Sequence, residues 1–325
     1  MISDADNSAG KHHARDGLRQ FVLHSTLFFI LQLAILAALF GVYPSEKDDY
    51  LAAYANKSSL IKAPGESRLV LVGGSNVAFG FDCDALERGT DRQIVNMGLH
   101  AGLGLHVILE QALTGVQSDD LVVVSLEYEH FDRRFGEELW PTFVEHAPGL
   151  FARMDWDDLA SLLDNARHYV SGVLRRTALY AVGRHRGPQA PYSASSFDQR
   201  GCMKSGALGT SKDVSHRRYF GGKYSGLRTA WAVASLSDFQ RQVEARGARL
   251  VIIPPPTLAS AYLDAETGVL DIYSRLSAAG LPVLSTPTEA VMSSESFHDT
   301  EYHLNVLGQR ERSLWALRLL EPYTR

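Results

Sequence analysis

A long run without charged residues lies near the start of the chain. Between Arg19 and Glu46 the sequence contains no Asp, Glu, Lys or Arg, and most of residues 20–43 are apolar. A helix needs about 20 apolar residues to cross the hydrocarbon core of a bilayer, so this run predicts a transmembrane anchor over 20–43. A buried soluble helix and a cleaved signal peptide are the alternatives. The bulky residues at the end of the run, from Leu39 to Pro44, disfavour cleavage.

Charges on either side of this run predict its orientation. Three Lys or Arg residues precede it within 1–19, and acidic residues outnumber Lys47 just after it. Lys and Arg concentrate on the cytoplasmic side of a membrane helix. We therefore expect a cytoplasmic tail over 1–19, an anchor in the inner (cytoplasmic) membrane, and a periplasmic or otherwise extracytoplasmic position for the rest. Residues 44–66, which contain Pro and Gly, predict a short stalk.

Beyond the stalk, short apolar runs alternate with helical stretches. The runs are continuous rather than alternating, which is typical of strands covered on both faces, as in a parallel sheet. Strands that alternate with helices predict an α/β fold with a doubly wound, mostly parallel sheet of five strands. This domain should span 67–325. Its strands are predicted at 69–72, 94–97, 121–126, 250–253 and 282–284.

The alternation lapses over about 131–224, which predicts an insertion in the domain. Residues 184–228 carry nine Lys or Arg, whereas residues 127–164 carry ten acidic residues and three basic ones. The basic part is either a lid for an anionic or sugar-rich partner, including the membrane surface, or a solvated loop. Aromatic residues in or near the insertion are candidates for stacking on sugars or for packing: Trp140, Trp156, Tyr192, Tyr219 and Tyr224.

Overall composition narrows the function classes. The 325 residues carry a formal net charge of −5 and a pI near 6.2, which argues against a nucleic-acid binder. Two cysteines, Cys83 and Cys202, are too few for a zinc quartet. Free core thiols are the favoured interpretation, and a single disulfide is the alternative. His100 and His106 lack the spacing of metal ligands and are expected to line a pocket or a helix surface.

The segment Gly73-Gly74-Ser75-Asn76 follows the first predicted strand. Open α/β sheets bind ligands at the carboxyl ends of their strands. Glycines allow a tight turn and a close approach of substrate, and the N-terminus of the next helix offers N–H groups to a developing oxyanion. Ser75 is therefore a candidate nucleophile.

A serine nucleophile needs a base, and the block after the last predicted strand supplies one. His303 is the candidate base, and either Asp299 or Glu301 could fix its tautomer and stabilise the imidazolium. His298 remains a rival base. A structural role for these residues at the start of the C-terminal helix is the alternative, because His and Asp there also act as helix caps.

These blocks resemble the SGNH (GDSL-like) hydrolase superfamily. Gly73-Gly74-Ser75-Asn76 matches its nucleophile turn, and Val95-Asn96-Met97-Gly98 matches its second block. Asp299 and His303 match its last block, in the same order along the chain. The resemblance implies a three-layer, flavodoxin-like α/β sandwich and a catalytic triad of Ser75, His303 and Asp299. It also implies an oxyanion hole formed by Ser75, Gly98 and, as a substitute donor, Asn76.

Two features differ from the superfamily. Its third block supplies an asparagine to the oxyanion hole, whereas here strand 121–126 is followed by Glu127. A carboxylate at that position would oppose an oxyanion unless it were protonated or turned away, and losing one oxyanion donor costs about 10²–10³ in rate. Asp299 and His303 are four residues apart rather than the usual three, which keeps Glu301 open as the partner.

An anchor, an outward SGNH-like domain and this C-terminal block together resemble the extracytoplasmic partners of membrane-bound O-acyltransferases. Those relatives act in O-acetylation of exported polysaccharides or D-alanylation of teichoic acids. The resemblance implies a serine acyltransferase or esterase that adds or removes O-acyl groups, most simply O-acetyl, on a glycan, without cofactor or metal. A polytopic O-acyltransferase would be its partner. A weakly active or inactive glycan-binding or scaffold subunit and an independent esterase or lipase are the alternatives.

Overall fold

The computed structural model describes residues 5–42, 47–132, 139–154, 156–184, 186–216 and 226–324. It divides into two compact units, Met1–Ser45 and Glu46–Arg325. The first unit contains helix α1 (Ala5–Val42). Its stretch Gly17–Ile35 is long and apolar enough to cross a membrane, and that stretch is not buried.

The second unit is built around a parallel sheet of four strands among the described residues. These are β1 (Arg68–Gly73), β2 (Gln93–Asn96), β3 (Leu121–Ser125) and β4 (Arg249–Ile252), in the order β2-β1-β3-β4. All three pairings are parallel, so the predicted α/β class and parallel sheet are confirmed. The predicted fifth strand at 282–284 is reduced to a bridge between Ile252 and Val283.

Helices cover both faces of the sheet. Alternate residues of the strands pack into two different apolar clusters, one on each face. Val70 and Val72 of β1 join a large cluster with residues of α2 (Ala53–Lys62), α5 (Leu105–Leu113), α8 (Gly226–Glu244) and α9 (Ala259–Ala278). Leu69 and Leu71 join a smaller one with residues of α4 (Cys83–Thr90) and α10 (Val306–Thr324). Because both faces of the strands are buried, successive strand residues are apolar rather than alternating with polar ones. The remaining described elements are the short helix α3 (Ser75–Ala78), α6 (Trp140–His146), α7 (Trp156–Ala181) and the two-residue strands β5 (Thr257–Leu258) and β6 (Val291–Met292).

The segment expected to be a stalk is instead part of the domain from residue 47 onward. Tyr50, Tyr54 and Ile61 are buried in the large cluster. The fully buried Lys57 donates hydrogen bonds to the carbonyl oxygens of Asn96 (2.8 Å) and Gly201 (2.6 Å). The prediction of a stalk over 44–66 is therefore wrong for residues 47–62. The buried positions of α2 recur at helical spacing. One of them is Lys57, and because lysine is typical of surfaces, the sequence did not indicate a buried helix.

The described part of the insertion includes α6, α7 and a loop over 186–216. This 186–216 loop is held by residues at the start of the second unit. The main-chain N–H of Ala194 donates to Asp48 O (2.9 Å), and the Asp48 carboxylate accepts from both the N–H and the hydroxyl of Ser195. Arg200, one of the basic residues of the insertion, is paired with acidic side chains of the domain. The loop is therefore fixed on the domain, and part of its charge is neutralised internally.

A disulfide bond adds a covalent connection. Cys83 at the start of α4 is bonded to Cys202 in the 186–216 loop, with Cα atoms 6.4 Å apart. The favoured expectation of free thiols is therefore wrong. A sequence separation of 119 residues gave no local signal that the two side chains meet.

We predict that the double variant Cys83→Ser/Cys202→Ser unfolds with a free energy about 2–5 kcal/mol lower than the wild type, because the bond restricts a long loop of the unfolded chain. Urea-induced unfolding of the full chain in detergent, followed by tryptophan fluorescence, measures the difference. A reducing agent should destabilise the wild type and leave the double variant unchanged. Equal unfolding free energies would contradict the prediction.

Candidate active site

Ser75 lies at the first position of α3, directly after β1, and the two glycines before it are required by close contacts. A Cβ atom on Gly73 would lie 2.0 Å from the carbonyl oxygen of Ser125, and one on Gly74 would lie 2.5 Å from Oε2 of Glu127. Both contacts come from the end of β3. In the order β2-β1-β3-β4, the chain leaves β1 and β3 in opposite directions, and such a switch point is where open α/β sheets bind ligands.

Glu127 receives the hydrogen bonds of the serine turn. Its Oε1 accepts from the Ser75 hydroxyl (3.2 Å) and from the main-chain N–H of Asn76 (2.9 Å). Glu127 is 2% exposed, and its Oε2 has no hydrogen-bond partner among the described residues. The residue that departs from the superfamily pattern is thus in direct contact with the candidate nucleophile.

His303 is paired with Asp299 and with a tyrosine of the 186–216 loop. The Nδ1 atom of His303 lies 3.0 Å from Oδ1 of Asp299. The Tyr192 hydroxyl donates to Oδ2 of Asp299 (2.6 Å) and lies 3.2 Å from the same Nδ1. With Nδ1 directed at a carboxylate, Nε2 of His303 is left as the atom that can exchange a proton.

The pKa of Asp299 is about 2, below its usual value. Burial opposes this shift, but the hydrogen bond and charge of His303, the hydrogen bond from Tyr192 and the charge of His298 outweigh it. Asp299 is therefore ionised at neutral pH and can stabilise an imidazolium at His303.

Phe79 joins the serine turn to the histidine. Its main-chain N–H donates to the Ser75 carbonyl oxygen (2.9 Å), and its ring stacks on the ring of His303 with a centroid distance of 4.1 Å and an interplanar angle of 6°. No hydrogen bond joins Ser75 to His303 among the described residues. Catalytic hydrogen bonds are often formed only when substrate is bound, so this arrangement leaves His303 available.

Of the other candidates in the C-terminal block, neither bonds to His303 through its side chain in the described structure. Glu301 accepts a hydrogen bond from Leu258 N–H through its main chain. The ring of His298 is buried, its Nδ1 has no partner among the described residues, and burial lowers its pKa. Asp299 rather than Glu301 is therefore the carboxylate at His303.

Two of the three expected oxyanion donors, Gly98 and Asn76, are engaged elsewhere. The N–H of Gly98 donates to Oδ1 of Asn96 (2.9 Å), and the N–H of Asn76 donates to Glu127. The Asn76 side chain donates to the carbonyl oxygen (3.3 Å) and the hydroxyl (3.0 Å) of Ser125. An oxyanion could bind to these main-chain donors only after such hydrogen bonds are exchanged.

Arg312 lies beneath the serine turn, and the sequence interpretation missed it. Its guanidinium donates to the carbonyl oxygen of Asn76 (3.1 Å) and to the Ser125 hydroxyl (2.8 Å). Burial lowers the pKa of Arg312 to about 9, against the opposing charge of Glu127. An arginine on the buried face of α10, four residues from Gly308 and from Ala316, was the available signal.

His100 is a neutral histidine close to the charged groups. Burial, with smaller effects of His303 and His130, lowers its pKa to about 4. Its Nδ1 accepts a hydrogen bond from Gly102 N–H (2.9 Å), so the ring proton is on Nε2. His106 lies apart from this group and is paired with Asp158 (3.1 Å). No group of three His, Cys, Asp or Glu suited to a metal ion occurs among the described residues.

Glu129 is a second carboxyl group behind the site, and it is partly buried. Burial raises its pKa to about 7, although a hydrogen bond from the Tyr302 hydroxyl (2.8 Å) opposes the shift. The folded protein thus retains a proton that the unfolded chain releases near pH 4.5. Because the folded state binds more protons in this window, stability falls as the pH rises from 4.5 through 7.

We predict that Glu129→Gln removes this loss of stability. Relative to the wild type, the variant should gain up to about 3 kcal/mol of unfolding free energy between pH 4.5 and 8. The measurement is the thermal midpoint across that pH range. Glu66→Gln, at an exposed glutamate, is the matched control and should follow the wild type. A constant difference between Glu129→Gln and the wild type would disprove the raised pKa.

Comparisons with known proteins give little similarity. No protein-family model matches the chain, and no curated protein matches it. A crystal structure of the protein YxiM from Bacillus subtilis aligns with a TM-score of 0.38 and 11% sequence identity, covering 80% of this chain. The aligned region spans 58% of the YxiM chain. A similarity at this level assigns neither a fold family nor an activity to the chain.

Proposed function

We propose that the protein is a membrane-anchored serine acyltransferase or esterase of the SGNH type that acts on O-acyl groups of a glycan. The observation that carries this proposal is the arrangement at the end of β1. A serine at the switch point of the sheet lies one helical turn from Phe79, and Phe79 stacks on a histidine that an ionised aspartate orients. These are the components of acyl transfer through a serine ester.

In this proposal Ser75 carries the acyl group. His303 gives a proton to the leaving oxygen and later takes one from the attacking hydroxyl. The Ser75 oxygen attacks an acyl carbonyl carbon while its own proton passes to a base of the site, and His303 protonates the leaving oxygen as the bond to that oxygen breaks. His303 then deprotonates the hydroxyl that attacks the acyl-serine. Asp299 and Tyr192 hold the imidazole ring so that Nε2 exchanges the proton. A sugar hydroxyl as the second nucleophile gives transfer, and water gives hydrolysis.

The same proposal includes the complete fold, a five-stranded, three-layer sandwich. The bridge at Val283 would be the remnant of a fifth strand beside β4, which would complete the five-stranded, three-layer sandwich of the SGNH type. The order of the serine turn, the Gly98 block and the Asp299/His303 block along the chain agrees with this fold.

An extracytoplasmic position is supported by the disulfide. Disulfides persist in oxidising compartments and are rare in the cytosol, and Cys83 is bonded to Cys202. The apolar stretch Gly17–Ile35 would anchor the chain, with the Lys and Arg residues of the tail on the cytoplasmic side. The substrate would then be an exported or cell-envelope polysaccharide, and a polytopic O-acyltransferase would supply the acyl group.

One observation favours a second candidate function, a glycan-binding or scaffold subunit without turnover. The N–H groups of Asn76 and Gly98 are both occupied, by Glu127 and Asn96. A site whose oxyanion donors stayed occupied would bind a ligand without catalysing acyl transfer.

We expect Ser75-dependent turnover of p-nitrophenyl acetate by the full chain in detergent, with covalent labelling of Ser75 by a serine-directed phosphonate. Ser75→Ala should reduce turnover by at least 100-fold and abolish labelling, because the acyl carrier is lost. The control is Ser205→Ala, at an exposed serine, which should behave as the wild type. Turnover that is absent or unaffected by Ser75→Ala would reject the catalytic proposal and favour the binding subunit.

Addition of an oligosaccharide acceptor separates transfer from hydrolysis. Transfer should increase the mass of the acceptor by one acetyl group and reduce the release of free acetate, as measured by mass spectrometry. Release of acetate without modified acceptor would identify an esterase.

We predict that Tyr192→Phe lowers kcat for Ser75-dependent turnover by about 10-fold, because Asp299 loses a hydrogen bond to its ionised carboxylate. The effect should appear in kcat rather than KM, since the hydroxyl contacts Asp299 and His303 and acts by positioning them. Tyr180→Phe, at an exposed tyrosine of α7, is the control. An unchanged kcat in Tyr192→Phe would show that the 186–216 loop does not position the histidine.

A further inference from the structure

The hydrogen bond of the Ser75 hydroxyl leads to a carboxylate and not to the histidine. Ser75 Oγ donates to Oε1 of Glu127 at 3.2 Å. The described residues hold no hydrogen bond between Ser75 and His303. The proton of the candidate nucleophile is therefore already directed at a group that can accept it.

The surroundings of Glu127 suit a group that changes its charge during a reaction. Glu127 is buried, and its Oε2 has no hydrogen-bond partner among the described residues. His130 Nδ1 lies 3.7 Å from this oxygen. The two ring nitrogens of His130 also face the carbonyl oxygens of Glu127 (3.0 Å) and Ala101 (3.1 Å). Arg312 places a cationic guanidinium at the end of β3, where it donates to the Ser125 hydroxyl (2.8 Å).

We propose that Glu127 accepts the Ser75 proton when the serine is acylated, and that neutral Glu127 then releases the Asn76 N–H to the oxyanion. This inference rests on the proposed role of Ser75 as acyl carrier and adds a catalytic residue to it. His303 serves the leaving group and the acceptor, and not the nucleophile.

In the acylation step the O–H bond of Ser75 breaks and its proton moves to Oε1 of Glu127. The freed electron pair of Oγ forms a bond to the acyl carbon, and the carbonyl π pair moves to the carbonyl oxygen. When the carbonyl re-forms, the bond to the leaving oxygen breaks, and that oxygen takes a proton from the imidazolium of His303. The acyl-enzyme thus holds a neutral Glu127 and a neutral His303.

The second step returns both protons. His303 takes the proton of the attacking hydroxyl, whose oxygen bonds to the acyl carbon. As the carbonyl re-forms, the bond to Ser75 Oγ breaks and Oγ recovers its proton from Glu127. Carboxylate and imidazolium are both regenerated, so the cycle needs no other reactant. Asp299, 3.0 Å from Nδ1, and the face of the Phe79 ring lie where they stabilise the positive charge that His303 carries in this cycle.

This division of roles explains how a carboxylate can replace the expected asparagine. A permanent carboxylate beside the oxyanion would repel it. If the carboxylate takes the serine proton, one negative charge moves from Glu127 to the substrate oxygen, and the total charge of the site is unchanged. The charge of Arg312 then stabilises the oxyanion as it stabilised the carboxylate, and Asn76 N–H, which donates to Glu127 at 2.9 Å, gains a stronger acceptor.

The test is the pre-steady-state burst of p-nitrophenolate from p-nitrophenyl acetate, measured by stopped flow with the full chain in detergent. This leaving group needs no proton, so the burst reports attack by Ser75. Glu127→Gln should lower the burst rate constant by about 10²–10⁴-fold, the usual contribution of a general base. His303→Gln should slow the steady-state rate far more than the burst. Glu129→Gln, at a nearby, partly buried carboxyl group, is the matched control and should retain the wild-type burst.

A second pair of variants covers a failure of Glu127→Gln to fold. Glu127→Asp and Glu127→Asn shorten the side chain equally and differ in the ability to accept a proton. The aspartate should give a burst at least 10-fold faster than the asparagine, with similar thermal midpoints.

A wild-type or faster burst in Glu127→Gln, or an asparagine variant as fast as the aspartate, would overturn the inference and leave the proposed function intact. Absence of any Ser75-dependent release of p-nitrophenolate by the wild type, in the burst or in the steady state, would overturn both. The two failures are therefore distinguishable.

Discussion

The close approach of the carboxyl ends of β1 and β3 is the constraint on which the site depends. Gly73 pairs with Ser125 in the sheet, and neither Gly73 nor Gly74 has room for a side chain. Because these strand ends meet without a side chain between them, Ser75 at the start of α3 reaches Glu127 directly. Arg312 fixes the same two strand ends from below by bonding to Asn76 and Ser125. Any larger residue at the glycines would separate the nucleophile from the carboxylate.

Beside Ser75 and His303, aromatic rings from three distant parts of the chain pack against one another. Tyr50 lies against Phe79, Tyr192 and Phe197, with ring centroids 5.4–6.4 Å apart, and its hydroxyl donates to Leu99 O (2.6 Å). The start of the second unit, the serine turn and the 186–216 loop therefore pack as one cluster. Since Tyr192 belongs both to this cluster and to the hydrogen bonds of Asp299, the packing of the loop determines the geometry at His303.

Local patterns in the sequence predicted the elements whose signals are local. The strand positions at 69–72, 94–97, 121–126 and 250–253 overlap the four observed strands, because continuous apolar runs mark strands covered on both faces. The glycine turn indicated Ser75, and the C-terminal block indicated His303 with either Asp299 or Glu301 as its carboxylate. Each of these features depends on the types of a few neighbouring residues, so a single sequence is enough to predict it.

The features that the sequence did not predict depend on contacts between distant segments. The bond between Glu127 and Ser75 follows from the strand register and not from either segment alone. Tyr192 was one of several aromatic candidates, and nothing near it in sequence indicates that it bonds to Asp299. The free-thiol interpretation failed for the same reason, because partners 119 residues apart leave no local pattern. The stalk was wrong because Lys57, a residue typical of surfaces, is buried and bonded to carbonyl oxygens.

The burial of residues 47–62 changes where the folded unit can be cut. A boundary at residue 67, drawn from the first strand, would remove Asp48, which holds the 186–216 loop, and Tyr50, which packs against Phe79 and Tyr192. The loop would lose its hydrogen bonds to Asp48, and Tyr192 would no longer be supported by Tyr50. A shortened protein that retains the native site therefore has to begin before Asp48, within a few residues of the end of the apolar helix. Only five residues of the sequence, 43–47, separate the last residue of α1 from Asp48, so the position of such a cut has almost no alternatives.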